Sequence, residues 1–322
     1  MTGKKIAPVT PAGSGLEIHA LRIFVAVAEA GSFVSGGKAM GLTRSAAGKA
    51  LARLEARLET RLFQRTTRRL SLTTEGQEFY HRCCQILDDL AEAESSIRQN
   101  TPLPKGILRL TVSEGYGKMR VLPFISEFLR GSPGVSIEVS FSDRVVDLVE
   151  EGFDLALRVG NATTSYQYIT QVIDRARPLL LASPDYLREW GVPASLAELG
   201  THRRLVYGLG AAPTAWTVTD REKGQITLNG RNHVRFDSGD AIRTAAIAGL
   251  GIGFLPTFMV EHDILDGRLV QVLPDSQGED VAIHAIYPNR RHLPVRVRAF
   301  IDSFKTFLSD RARNDIARGA WR

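Results

Sequence analysis

Arg44, Ser45, Gly48, Lys49 and Arg53 recur at steps that place them on one face of a helix, and that face carries the clearest chemistry in the chain. Guanidinium and ammonium groups neutralise phosphates and reach the acceptor edge of guanine. Ser32 and Thr43, at the starts of neighbouring segments, belong to the same candidate set, as does the run Arg65-Thr66-Thr67-Arg68-Arg69. Between Lys38 and Arg69 nine bases face only Glu55 and Glu59, whereas the whole chain carries a formal charge of +6. The positive excess is therefore local, as a surface that tracks phosphates requires. A solvated basic helix balanced by i,i+4 acids is the bland alternative. It leaves the surrounding turn and ribbon without a purpose.

The elements that must hold these residues are legible. An amphipathic helix from Ile18 to Ala30 places Leu21, Phe24, Val25 and Ala28 on one stripe, and a short second helix runs from Phe33 to about Met40. The turn Gly41-Leu42-Thr43 leads into a third helix, Arg44 to Leu58, whose Ala47, Ala50, Leu51, Leu54 and Leu58 face inward. Arg61 to Arg65 and Leu70 to Thr73 then alternate like a two-stranded ribbon with residues 66–69 at its tip. Two helices joined by a tight turn, the second basic outside, predict a winged helix-turn-helix that enters a DNA major groove.

Other chemistries find little support. Gly249-Leu250-Gly251-Ile252-Gly253 follows a helix and enters a strand, the reverse of a dinucleotide-binding loop. The seven histidines show no HExxH spacing, and there is no GxSxG elbow, so no catalytic residue, metal or cofactor is assigned. Cys83 and Cys84 are adjacent and build no disulfide framework; Cys83 reads as a small buried hydrophobe rather than a redox sensor. No run approaches the roughly 18 apolar residues of a membrane span. Residues 1–15 read as a disordered leader, not a signal peptide. The expected location is cytoplasmic.

The first hundred residues resemble the LysR-type transcriptional regulators. The resemblance rests on an ordered string: Leu21 to Phe33, Leu42-Thr43-Arg44-Ser45-Ala46-Ala47, Leu54-Glu55-Ala56-Arg57-Leu58, Leu62 to Arg68 and Leu72-Thr73-Thr74-Glu75-Gly76. Weaker similarity continues to about Leu308. Two features depart from the family pattern. Gly36-Gly37 replace the usual alanines, which should loosen the second helix by roughly 1 kcal/mol each, and Gly48 replaces a polar residue on the reading face.

Thr73-Thr74-Glu75-Gly76 reads as a helix start, after which Phe79, Cys83, Ile86, Leu90, Ala93 and Ile97 form a heptad seam. The alternative is an amphipathic helix lying on its own domain. The resemblance implies that this helix pairs two subunits, so that a homodimer or tetramer offers two reading helices to a palindromic operator.

From Gly106 strand and helix alternate: Ile107 to Val112, Met119 to Leu129 (helical), Val135 to Phe141, Val145 to Glu151 (helical) and Asp154 to Val159. A similar set begins at Pro178, which predicts parallel sheets. The fold class expected is therefore α/β, with domains at 16–73 (winged helix-turn-helix), 74–100 (linker helix), 101–105 (hinge) and 106–322. The family resemblance implies that the last is a two-lobed effector domain similar to periplasmic solute-binding proteins. Lobe I would span about 106–177 and 281–310, and lobe II about 178–280. In that geometry a small ligand sits between the lobes, at strand ends. The candidate positions are Ser113, Tyr116 and Gly117 in the first strand-to-helix loop, then Ser142, Arg158 and Gly160, with Tyr207 and Trp216 from the second lobe. The function expected is that of a DNA-binding transcriptional regulator, not an enzyme. Its partners would be double-stranded DNA, an aromatic or carboxylate-bearing effector, and RNA polymerase. An architectural protein whose C-terminal domain only oligomerises is the alternative.

Overall fold

A computed structural model describes residues 17–65, 70–97, 103–160, 166–210, 215–220, 224–228, 232–289 and 293–317. The expected leader, the tip of the wing and the first two residues of the expected hinge lie outside them. The chain divides into two compact units, Met1–Pro102 and Leu103–Arg322.

In the first unit, α1 (Ile18–Ala30) buries Leu21, Ile23, Phe24 and Val27 and stops at Gly31, whose φ of +56° suits a residue without Cβ. α2 (Phe33–Ala39) begins at Ser32, whose hydroxyl accepts from the Val34 and Ser35 amides. Gly36 has a purpose that propensity does not reveal. A Cβ there would fall 2.5 Å from the Val27 Cα, so the glycine permits the close crossing of α1 and α2. The cost in intrinsic helix stability is thus offset by packing, a correction to the loosening expected.

α3 (Arg44–Leu58) starts at Thr43, which accepts from the Ala46 amide, and buries Ala47, Leu51 and Leu54. β1 (Phe63–Arg65) and β2 (Leu70–Leu72) pair antiparallel, Phe63 opposite Leu72. Glu55 fastens the start of this wing, its Oε1 accepting from the Leu62 and Phe63 amides at 2.8 and 3.1 Å.

α4 (Thr74–Ile97) follows from Thr73, whose hydroxyl accepts from the Gly76 amide. Its first half corrects the expected subunit seam. Phe79 packs on Phe24 with ring centroids 5.2 Å apart, and Cys83 is fully buried in the core of this same unit. Burial pushes the Cys83 thiol up to about 12, with Cys84 adding to the effect, so it is a packed thiol and not a reactive thiolate. Of the remaining seam positions Ile86 is 49% exposed and Leu90 half-buried. The side chains of Ala93 and Ile97 lie outside the described set.

Among the described residues the second unit contains three sheets. β3 (Gly106–Val112) leads through α5 (Glu114–Tyr116), a π turn over Gly117–Val121 and α6 (Leu122–Gly131) to β4 (Val135–Phe141), then β5 (Leu155–Val159) and β6 (Tyr168–Ala176). β7 (Pro178–Ala182), α7 (Pro184–Trp190), β8 (Arg204–Tyr207), β9 (Trp216–Asp220), β10 (Gly224–Leu228), β11 (Asn232–Phe236) and α8 (Gly239–Ile247) follow. The chain closes with β12 (Ile252–Pro256), α9 (Thr257–Leu265), β13 (Val270–Gln271), β14 (Ser276–Gly278), β15 (Val281–Pro288) and α10 (Val295–Ala317).

Lobe I is the sheet β4-β3-β5-β15-β6, and lobe II is β11-β8-β12-β7-β13. Each has a parallel centre and antiparallel additions. β3 runs parallel to β4 and β5, but β15 returns antiparallel to β5 and β6. β8 is parallel to β11 and β12, while β7 is antiparallel to β12 and β13. The parallel sheets expected thus hold at the centre of each lobe and not at its additions. β9, β10 and β14 form the small third sheet. Phe124 and Phe128 of α6 meet Phe300 and Phe304 of α10 with centroids 5.0–5.2 Å apart where they touch, sealing lobe I. Residues 145–151 are not helical. Asp147 Oδ1 accepts from the Val149 and Glu150 amides and makes a turn there instead.

Among the described residues no helix is long and apolar enough to cross a membrane.

Candidate functional site

Two surfaces invite function, one in each unit. In the first, Arg44, Ser45, Lys49 and Arg53 are exposed on the side of α3 opposite its buried Ala47, Leu51 and Leu54. A Cβ on Gly48 would meet open space, so the helix face is clear at that position. Thr43 and Ser32 stand at the helix starts, their hydroxyl oxygens engaged as caps while each O–H remains able to donate. A helix of this kind, held by two others and flanked by a ribbon, presents side chains to base edges and phosphates. Arg65 closes β1 at the base of the wing. Its side chain, and residues Thr66, Thr67, Arg68 and Arg69, fall outside the described set.

In the second unit a cavity of about 750 Å³ opens between the lobes, within the size range of small-molecule pockets. Lobe I contributes Ser113, Asp143, Asp147, Arg158, Gly160 and Tyr168, and lobe II contributes Tyr207, Ile242 and Phe254, with Phe258 and Met259 from α9. Most of the wall is apolar. Met259 lies against a glycine of each lobe. A Cβ on Gly115 would lie 2.8 Å from its methyl carbon, and one on Gly239 3.0 Å. At the rim Lys118 bonds Glu114 at 2.8 Å and Asp240 at 3.3 Å, tying the start of α5 to that of α8.

Arg158 is the principal polar feature. Its Nη2 donates to Thr111 Oγ1 at 2.8 Å and to the Arg144 carbonyl at 3.2 Å, whereas Nη1 is buried without a partner among the described residues. Burial lowers its pKa, and the carboxylates Asp143 and Glu151 work against that shift. The Ser113 hydroxyl accepts from the Val159 amide at 3.4 Å and keeps its own proton free to donate.

Residues 18–77 match the bacterial regulatory helix-turn-helix family of the lysR type, and residues 102–309 match the LysR substrate binding domain. The chain belongs to the LysR family of transcriptional regulators. An uncharacterised HTH-type regulator of Haemophilus influenzae is 37% identical to it over 281 residues, covering 87% of this chain and 97% of that one. PtxR of Pseudomonas aeruginosa is 34% identical over 294 residues, 91% and 93% of the two chains. The solved structure of CrgA from Neisseria meningitidis aligns with a TM-score of 0.60 at 29% identity, over 90% of this chain and 98% of that one. The architecture, a winged helix-turn-helix followed by a two-lobed α/β regulatory domain, is that of the LysR family.

Within this LysR-type regulator the structure brings Ser113, Tyr116, Arg158, Gly160 and Tyr207 to the cavity wall and leaves other candidates elsewhere. Tyr116 is fully buried and donates its hydroxyl to Asp174 at 2.9 Å, so only its body borders the space. Gly117 is a packing residue, because a Cβ would strike Val112 at 2.4 Å and Phe141 at 2.8 Å. Ser142 accepts from the Arg144 amide and shapes the following turn. Trp216 is 6% exposed in the third sheet, its ring 5.6 Å from Phe254 and 4.3 Å from the Arg204 guanidinium carbon. It supports Phe254 from behind and is not a wall of the cavity, which corrects the role expected of it. The start of α5 is also less open than the sequence suggests, since the Glu114 amide already donates to Asp143 Oδ1 at 3.2 Å.

Phe254 could have been found from sequence, lying near the end of an evident buried strand. Asp147, Tyr168, Phe258 and Met259 could not, because the turn, strand and helix that carry them lack boundary signals.

Proposed function

We propose that this LysR-type regulator reads a palindromic operator through α3 and the wing of two or more subunits. In this reading a small molecule in the inter-lobe cavity sets its DNA affinity or geometry. The observation that supports effector control is the cavity itself, with the buried and unpartnered Nη1 of Arg158 beside an apolar wall. A charged donor left unmatched inside a protein is costly, and a ligand carboxylate would relieve that cost. Phe254, Phe258 and Tyr207 suit an aromatic or aliphatic body. The exposed Ile86 on α4 is the seam position best placed to meet a second copy. The chain acts by binding, with RNA polymerase as its further partner in the cytoplasm.

Coupling requires that the ligand bind one lobe arrangement better than another, and that DNA change ligand affinity by the same factor. Thermal unfolding of the wild type against a panel of carboxylate-bearing metabolites provides the test. A true effector raises the midpoint by mass action, and Arg158→Gln should weaken that ligand about ten- to a hundredfold. If no metabolite stabilises the wild type, the architectural reading stands in its place. If Arg158→Gln leaves a stabilising ligand unaffected, the assignment of Arg158 is wrong.

A further inference from the structure

Arg158, Asp143 and Asp147 are charged and line the inter-lobe cavity, and among the described residues none of them forms an ion pair. Arg158 meets two neutral oxygens, from Thr111 and Arg144, and its Nη1 meets nothing. Asp143 accepts only the Glu114 amide, on Oδ1, and Asp147 turns Oδ1 back onto its own loop. Charges of both signs therefore border one space with no direct ion pair between them, although Asp143 lies close enough to act on Arg158 through space. A simple anion would answer Arg158 but meet the Asp143 carboxylate on the same lobe. A simple cation would answer Asp143 and leave Arg158 as it is. A molecule bearing both charges satisfies both groups.

We infer that the ligand of this cavity is a zwitterionic amino-carboxylate with an apolar side chain. Its carboxylate is met by Arg158, its ammonium by Asp143, and its side chain by Phe254, Phe258 and Met259. This assignment rests on the effector reading above and narrows the chemical class. The Tyr207 phenol on the same rim supports it. Burial and then Asp143, Asp237 and Glu114 hold that hydroxyl above its ordinary pKa, which marks the mouth as negative and receptive to an ammonium group. Lys118, the cation nearest Glu114, is already shared between Glu114 and Asp240.

The full-length protein is tested by thermal shift and then calorimetry with the standard L-amino acids. Each that binds is compared with its desamino acid and its decarboxylated amine; for phenylalanine these are 3-phenylpropanoate and phenethylamine. Expected is at least one apolar amino acid that binds about tenfold or more tightly than both of its analogues. Asp143→Asn keeps an acceptor for the Glu114 amide. It should cost the amino acid about tenfold and leave the desamino acid bound at least as tightly as before. A desamino acid that binds as tightly as its parent overturns the zwitterion assignment while effector control stands. Failure of every amino acid to bind also overturns it, and the metabolite panel with Arg158→Gln then decides effector control separately.

Discussion

Replacing Asp263 by alanine should destabilise the regulatory unit by about 3–5 kcal/mol, the range found when one partner of a buried ion pair is removed. Asp263 is fully buried and holds two arginines. Arg243 donates from Nε at 2.5 Å and from Nη2 at 2.8 Å, and Arg268 approaches at 2.8 Å. Arg268 is 46% exposed and can return to water, so the lower end of the range is expected. Arg243 is only 18% exposed and keeps just a longer contact with Asp240, at 3.6 Å. Urea unfolding of the full chain would register the change as a lower midpoint for the regulatory-unit transition. A loss below about 1 kcal/mol would mean that both arginines find other partners.

The same substitution bears on function through α9. Two residues before Asp263, Glu261 accepts from Arg120 at 2.5 Å and Arg311 at 3.3 Å, both in lobe I. Asp263 is anchored in lobe II. One short helix therefore has an ionic foot in each lobe, and between β12 and those feet it places Phe258 and Met259 on the cavity wall. Ligand binding should weaken in Asp263→Ala along with stability.

Replacing Lys49 or Arg44 by alanine should cost about 1–3 kcal/mol of discrimination for each base that is no longer read, roughly ten- to a hundredfold against the best site. Arg53, lying further along α3, is the better candidate for a phosphate contact. Its removal should weaken all duplexes alike and lower the slope of log K against log salt by about one. Both groups are exposed on the same helix face, so neither change should disturb the buried Ala47, Leu51 and Leu54. Fluorescence anisotropy at several salt concentrations separates the two effects. Equal weakening on specific and random DNA for Lys49→Ala would remove it from the reading set.

The DNA-binding half was legible because its signals are local. The stripe of Ala47, Leu51 and Leu54, the hydroxyls at Thr43 and Thr73 and the glycine stop at Gly31 each act within a turn or two of chain. Gly36 shows the limit of such reading. Its value lies in a contact with Val27, which propensity cannot express. The heptad in α4 shows another. Spacings of 3.5 and 3.6 residues are indistinguishable over three turns, so Phe79 and Cys83 fit a subunit seam as well as the core they enter.

In the regulatory half the alternation of strands and helices located the parallel centres of both lobes, and strand ends pointed to Ser113, Arg158 and Tyr207. What escaped was non-local. β6 pairs antiparallel with β15 from more than a hundred residues away, and α9 begins at Thr257, after Pro256, with no side-chain cap to announce it. Trp216 was misplaced for a related reason. An aromatic residue after a loop suits a ligand wall and a lobe core equally, and only the third sheet decides between them.

Selection from fragmented genomic DNA of the source organism tests the central reading most directly. The full-length protein is incubated with the fragments at near-physiological salt, and those retained are sequenced. Expected is enrichment of one pseudo-palindromic motif whose half-sites lie about one or more helical turns apart, together with an altered motif for Lys49→Ala. Retention of fragments with no shared sequence, or a motif unchanged by Lys49→Ala, would contradict sequence reading by α3.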